Sequence, residues 1–160
     1  MKSSFLIAST LLIVLNCMGQ VQKRPLSIIP EPVSVVEKQG VFILQNNSVI
    51  TVPNNPELKT TVDFLQAKLS TATGYKFIIN RTNSSSAKIH LELNKTRNKE
   101  LGDEGYTLSS TAQKITISAN KPAGLFYGVQ TLLQLLPPEI ESKTIVKNVK
   151  WQIPAVEIKD

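Results

Sequence analysis

The stretch SANKPAGLFYGVQTLLQLLPP, residues 118–138, decides the fold of this chain. Its aliphatic residues recur at helical spacing, which predicts a helix with one apolar face. Asn120 is a candidate N-cap, Pro122 is tolerated in a first turn, and Pro137 ends the helix. The residues of the apolar face are Leu125, Val129, Leu132, Leu133 and Leu136.

Two glycines lie four residues apart on this helix, Gly124 and Gly128. They fit neither G-x-G-x-x-G nor G-x-x-x-x-G-K-[ST], the two common phosphate-binding motifs. A glycine inside a helix costs up to about 1 kcal/mol relative to alanine, and a close approach of the helix backbone to a sheet would offset that cost. The glycines therefore predict tight packing on a sheet rather than a ligand loop.

A second helix and three well-patterned strand regions surround this stretch. Leu58, Val62, Leu65 and Leu69 form one apolar stripe, and Gly74 stands where a glycine ends a helix. Apolar residues alternate with polar ones in the strand regions, as in half-buried strands. These regions are residues 75–79, residues 89–93, and the predicted hairpin of 106–108 with 115–117.

The remaining strands are shorter. Two β-branched runs, 33–36 and 41–44, are separated by a turn at Gly40, and residues 48–52 and 144–149 supply two more. The tail WQIPAVEIKD, residues 151–160, is broken by proline and reads as extended. The order of elements predicts an α+β fold, a mixed β-sheet with two α-helices packed on one face.

Residues 1–19 have the pattern of a signal peptide. Lys2 precedes the apolar run 5–15, and small residues around Gly19 suit cleavage before Gln20. The apolar run is shorter than the ~20 residues that span a bilayer, so no transmembrane helix is expected in the mature chain. Export to the periplasm or the medium is the main expectation; lipidation of Cys17, giving an outer-membrane lipoprotein, is the alternative.

The net charge of +6 falls to +5 when Lys2 leaves with the signal. The basic residues are dispersed, whereas a nucleic-acid interface clusters them on one face. No nucleic-acid partner is therefore predicted.

Candidate catalytic residues are few. His90 is the only histidine, whereas a hydrolytic zinc site needs two or three nitrogen or carboxylate ligands, and no G-x-S-x-G motif supports a serine triad. Asp103–Glu104 is the only adjacent acidic pair, and it lacks the apolar neighbours that would raise a carboxyl pKa.

Four N-x-[ST] sequons begin at Asn46, Asn80, Asn83 and Asn94, and NSSS at 83–86 is a loop by composition. Such sequons matter only in a host that glycosylates them. The residues thus predict no catalytic, cofactor-binding or metal-binding site in this chain, and no cofactor.

Three segments together carry a resemblance to a known family. They are Ile29-Pro30-x-Pro32 near the start, FYGVQTL at 126–132, and IPAVEIKD at 153–160. The chain resembles the N-terminal domain of bacterial β-N-acetylhexosaminidases, glycoside hydrolase family 20. Related domains precede other N-acetylglucosaminidase and glucuronidase barrels, which remain alternatives.

The resemblance implies a zincin-like fold without a metal, attached to a (β/α)₈ barrel. That barrel would hydrolyse terminal β-linked GlcNAc or GalNAc with retention: the substrate's acetamido oxygen attacks, a glutamate protonates the leaving oxygen, and an aspartate orients the acetamide. No residue of this chain matches the aspartate–glutamate pair. The expected partners are therefore the catalytic barrel in cis and, through it, amino-sugar glycans.

The resemblance also suggests domain boundaries. We expect a signal peptide at 1–19, an extended segment at 20–27, the hexosaminidase-type domain at 28–150, and at 151–160 a linker into the barrel. On this reading the chain is a fragment of a longer enzyme or a remnant of one, and it is inactive alone.

Two other classes of function remain open at this point. A stand-alone carbohydrate-binding module would use exposed aromatic residues for sugar stacking, and Trp151 is the one candidate platform. A zincin-type hydrolase would need a second histidine, which the sequence lacks.

Overall fold

The computed structural model describes residues 26–82 and 86–160. Seven strands form one mixed sheet in the order β1-β7-β5-β6-β4-β2-β3. β3, β2, β4 and β6 are parallel neighbours, and the other pairs are antiparallel. The strands are β1 Ser34–Ile43, β2 Ser48–Thr51, β3 Phe77–Asn80, β4 Ile89–Leu93, β5 Tyr106–Ser110, β6 Ile115–Ala119 and β7 Gln152–Lys159.

Two helices, α1 Lys59–Thr73 and α2 Pro122–Leu135, pack on one face of this sheet. α2 lies against β4, β5 and β6, and α1 lies beside α2. Gly74 ends α1 in the left-handed conformation, with φ 71° and its N–H bonded to the Ser70 carbonyl. The predicted fold class, both helices and the hairpin β5–β6 are confirmed.

The glycines of α2 bring the helix backbone against the sheet, as the sequence predicted. A β-carbon on Gly124 would lie 2.4 Å from the Gly105 carbonyl oxygen, and one on Gly128 would lie 2.4 Å from Cγ2 of Ile117. Real side chains do not tolerate such distances, so only glycine fits here without a shift of the helix or the sheet. One turn further on, the hydroxyls of Tyr106 and Thr131 are hydrogen-bonded at 2.5 Å inside the core.

The N-terminal strand differs from its prediction. The two runs around Gly40 belong to one ten-residue strand, β1, and Gly40 with φ 108° lies in an irregularity of the β1–β7 pairing between Glu37 and Val41. The left-handed φ allows the extra residues to bulge while the strand continues on both sides. The predicted turn is therefore a bulge.

The C-terminal tail also differs. Residues 151–160, predicted as a linker, contain β7, which lies between β1 and β5 in the sheet. Pro154 is tolerated because β5 pairs only with residues 156–159, so that the part of β7 around Pro154 has β1 as its one neighbour.

The strand predicted at 144–149 is wrong. These residues form bends, and Asn148 adopts a left-handed φ of 65° that interrupts an extended run. The segment covers the end of α1 instead: the N–H of Val146 donates to the Ala72 carbonyl, and Ile145 lies over Gly74.

The predicted signal peptide at 1–19, most of the segment 20–27, and residues 83–85 lie outside the described residues. Neither helix of the part that the structure describes combines the length and apolar character needed to cross a bilayer.

Candidate functional site

His90 faces away from the helices and is held by two hydrogen bonds. Its Nδ1 lies 2.9 Å from the Thr51 hydroxyl, and its Nε2 lies 3.1 Å from the Ala87 carbonyl oxygen. Because a carbonyl oxygen only accepts, Nε2 carries the proton and Nδ1 accepts from Thr51 in the neutral ring. Both nitrogens are thus used within the fold, and among the described residues no group of three histidine, cysteine or acidic side chains is placed to hold a metal.

The acidic pair 103–104 lies in an exposed loop. Asp103 pairs with Arg97 at 2.5 Å between Oδ1 and Nη1, and Glu104 contributes its backbone carbonyl to the close contact around Gly124. This loop is held by Asn120, whose amide donates to the carbonyl oxygens of Asn98 and Gly102. Asn120 therefore secures the loop and is not the N-cap of α2, which is Lys121.

Paired carboxylates are absent from five surface cavities in the described part of the chain. Each of these cavities is lined by a single carboxylate residue, respectively Glu92, Glu157, Asp160, Glu141 and Glu31. Glycoside hydrolysis by a protein acid pair needs two carboxyl groups that face one bond. The described cavities do not offer that arrangement.

Trp151 is not a sugar-stacking platform. Its side chain is 4% exposed and belongs to the hydrophobic core, while its backbone carbonyl accepts from the N–H of Leu44. The interpretation of Trp151 as a binding platform is wrong, because a sugar cannot reach the ring.

The two helices carry an aromatic patch that the sequence did not predict. Phe64 of α1 and Phe126 of α2 have ring centroids 5.8 Å apart, and Tyr127 follows at 6.0 Å from Phe126. Tyr127 is 45% exposed and both phenylalanines are half-buried. We call these three residues the helix-face patch. Helical spacing could have found only its exposed member, since Ala123, Tyr127, Gln130 and Gln134 repeat on the face of α2 opposite the leucines.

Within residues 26–82 and 86–160, two groups have shifted pKa values. Burial raises the pKa of Tyr106 above its ordinary value, against the opposing effect of its bond to Thr131. The hydrogen bond from Lys159, together with its charge, lowers the pKa of the exposed Glu100 carboxyl. Tyr106 belongs to the packing of α2 and also lines a surface cavity with Thr131 and Asp160, whereas Glu100 ties its loop to the end of β7.

The sequons are only partly described. Asn46 accepts from the N–H of Lys76, Asn80 from the N–H and hydroxyl of Thr82, and Asn94 donates to Asn120. Asn83 lies outside the described residues. These amides serve as turn and loop contacts.

A family profile and a related protein of known sequence both place this chain in one family. The profile of glycosyl hydrolase family 20, domain 2, matches residues 25–160. A beta-hexosaminidase of Porphyromonas gingivalis is 33% identical over 138 residues, which are 86% of this chain and 17% of that protein.

Solved structures agree. A variant of Streptomyces plicatus beta-hexosaminidase in complex with its product GlcNAc superposes with a TM-score of 0.77 at 35% identity, over 88% of this chain and 27% of that one. The GH20 beta-N-acetylhexosaminidase of Streptomyces coelicolor gives a TM-score of 0.74 at 34% identity, over 83% and 26% of the two chains. The present chain thus spans about a quarter or less of the length of these relatives.

Proposed function

The chain belongs to glycosyl hydrolase family 20 as its domain 2, and from this premise we propose that it is the non-catalytic support domain of an exported β-N-acetylhexosaminidase. The enzyme would remove terminal β-linked GlcNAc or GalNAc with retention, using the acetamido group of the substrate as the nucleophile, an exception to the two-carboxylate scheme. The acid and the acetamide-orienting residue would come from a (β/α)₈ catalytic domain, not from residues 1–160.

One observation carries the proposal. The chain matches its relatives along its own length but along only 17–27% of theirs, and the matched domain brings no pair of carboxylates into one described cavity. If this domain has no chemistry of its own, structural support of the catalytic domain best explains its presence in the enzyme.

The helix-face patch supplies a surface for this role. Tyr127 is exposed on α2, and the half-buried rings of Phe126 and Phe64 lie beside it, with Phe64 also packed against the core. Aromatic rings are enriched at the centres of protein interfaces because they bury a large area with few rotatable bonds. We assign the catalytic domain as the partner of this patch, since about three quarters of the length of the solved relatives lies outside the matched domain.

A direct test of the non-catalytic role is an activity assay. The purified chain, shown to be folded by circular dichroism, is expected to release no nitrophenol from p-nitrophenyl N-acetyl-β-glucosaminide above the buffer rate. Turnover that persists through repeated purification would contradict the proposal, because the acid would then have to lie within residues 1–160.

The export proposal has its own test. Residues 2–19 carry the signal pattern, so mass spectrometry of the protein from a bacterial host is expected to find a mature chain that begins at Gln20. An acylated Cys17 at the N-terminus would favour the lipoprotein form, and an intact Met1 in the cytoplasmic fraction would contradict export.

The alternative of a stand-alone carbohydrate-binding module loses the sugar-stacking residue that the sequence offered for it. Its one candidate platform, Trp151, is buried in the core.

A further inference from the structure

A notch interrupts the parallel part of the sheet between β2 and β4. β2 ends at Thr51, which pairs with His90, whereas β4 continues to Leu93 along β6. Beyond Thr51 the chain stays hydrogen-bonded to β3 and not to β4: the N–H of Val52 donates to the Asn80 carbonyl at 2.9 Å. The last residues of β4 therefore have a strand neighbour on one side only.

The segments that follow β2 and β4 leave this notch in opposite directions. After β2 the chain goes through α1 to β3 on one side, and after β4 it goes to β5 and β6 on the other. In open sheets with parallel strands, such a divergence at the carboxyl ends leaves the crevice in which ligands commonly bind. The topology alone thus marks this position as a candidate site.

The crevice is a cavity of about 490 Å³, which falls within the ~300–1,000 Å³ of small-molecule sites. Val52 and Leu91 are buried and give it apolar walls, while Arg81, Glu92, Asn94 and Lys95 supply polar groups. An apolar wall with a few polar groups is the ordinary composition of a site for a polar small molecule.

The cationic groups of the crevice are unpaired. Nη1 of Arg81 donates to the Pro53 carbonyl at 3.3 Å, which places the guanidinium at the end of β2. Among the described residues, neither Arg81 nor Lys95 forms an ion pair, whereas the nearby Arg97 is paired with Asp103. A guanidinium and an ammonium on one crevice favour a carboxylate or another anion.

Glu92 limits which anion fits. Its carboxylate is exposed and lies 3.5 Å from the Ser118 hydroxyl, a contact at the outer limit of a hydrogen bond. A compact anion with only acceptors would be repelled there, but a hydroxyl group of the ligand could donate to Glu92. The site therefore suits a molecule with a carboxylate at one end and hydroxyl groups at the other.

We infer that the crevice between β2 and β4 binds a sugar acid, with the carboxylate at Arg81 and Lys95 and a hydroxyl at Glu92. The assignment concerns this domain alone and does not depend on the proposed support role.

The test compares a matched pair of ligands, galacturonate and galactose, which differ in the carboxylate. In calorimetric titrations of the folded full chain, galacturonate is expected to bind with a Kd on the order of 1 mM, and galactose at least about tenfold more weakly. Inorganic phosphate serves as the compact anion and is expected to bind more weakly than galacturonate.

Variants locate the site. Arg81→Gln is expected to weaken galacturonate binding by about tenfold. If that variant does not fold, Lys95→Gln tests the same carboxylate contact and is also expected to weaken binding. Lys114→Gln removes an exposed charge at the turn between β5 and β6 and should leave binding unchanged.

Three results would overturn the inference. They are equal affinity for galacturonate and galactose, equal affinity for phosphate, and absence of saturable binding by the folded chain. Binding that survives both Arg81→Gln and Lys95→Gln would place the ligand elsewhere and would count against it equally.

Discussion

The contact of α2 with the hairpin β5–β6 and the contact of β1 with β7 are built in opposite ways. At α2, Gly124 and Gly128 remove side chains so that helix and sheet approach to backbone distance. At β1, eight consecutive residues are exposed, and the pairing with β7 is interrupted by the bulge at Gly40. Substitutions in the first region should therefore lower the free energy of unfolding much more than substitutions in the second.

The largest effect is expected at Gly124. A β-carbon there meets the Gly105 carbonyl oxygen at 2.4 Å and the Glu104 carbonyl oxygen at 3.1 Å, and backbone atoms cannot rotate away. Gly124→Ala should lower the free energy of unfolding by about 3 kcal/mol, although alanine is the better helix former.

The neighbouring Ala123 is exposed on the same helix and serves as the control. Ala123→Gly should cost no more than about 1 kcal/mol, from helix propensity alone. Urea denaturation measures both variants. A neutral or stabilising Gly124→Ala would show that the close approach does not govern this region.

Gly128→Ala should cost somewhat less, about 2 kcal/mol. The clashing group is a side-chain methyl, Cγ2 of Ile117, at 2.4 Å. Leucine lacks a methyl at that position, so Ile117→Leu in the same chain should recover part of the loss. A double-mutant cycle measured by denaturation would give a coupling energy of about 1 kcal/mol, and a coupling of zero would refute the named clash.

Tyr106→Phe should cost about 1 kcal/mol near neutral pH, because the hydroxyl of Thr131 loses its buried partner. The variant should also change the alkaline response. Burial raises the pKa of Tyr106, so its stabilising contribution is complete below its ordinary pKa of about 10 and is lost as pH rises through the folded value.

The urea midpoint of the parent chain should therefore fall between pH 9 and 11 more steeply than that of Tyr106→Phe. Tyr75→Phe, which removes a hydroxyl from a half-buried ring, is the matched control and should keep the parent slope. Equal slopes for the parent and Tyr106→Phe would contradict the assignment.

The smallest effect is expected on β1. Ile43 is 60% exposed and pairs with Gln152, and threonine keeps the branched β-carbon that strands favour. Ile43→Thr should stay within about 0.5 kcal/mol of the parent in denaturation. A loss comparable to that of Gly128→Ala would mean that the β1 edge is as constrained as the helix contact.

The same contrast explains what the sequence could predict. α2 was predictable because its leucines repeat every three or four residues. Its glycines fit no phosphate-binding motif, so close packing was the one interpretation left for them. β7 was missed because Pro154 reads as a strand breaker, and only the register shows that β5 does not extend beside it. At Gly40 the sequence predicts a turn where the structure has a bulge, since a left-handed φ suits both.

Tertiary partners decided the other differences. Asn120 has the residue type of an N-cap, but its amide is used by the loop at Asn98 and Gly102. Trp151 lies in an extended run whose burial depends on β1 and β7 together. The crevice at Arg81 and Lys95 could not be predicted, because it arises from the divergence of β2 and β4 and from no local motif.

The central claim is that this domain supports a family 20 catalytic domain without contributing to its chemistry. The test is a chimera in which residues 25–160 take the place of the matched domain of Streptomyces plicatus β-hexosaminidase, a protein to which the chain is 35% identical over 88% of its length. The chimera is expected to hydrolyse p-nitrophenyl N-acetyl-β-glucosaminide far above a variant with the domain deleted, and Tyr127→Ala in the chimera should lower its melting temperature with little change in KM. A chimera no more active or stable than the deletion variant would contradict the account.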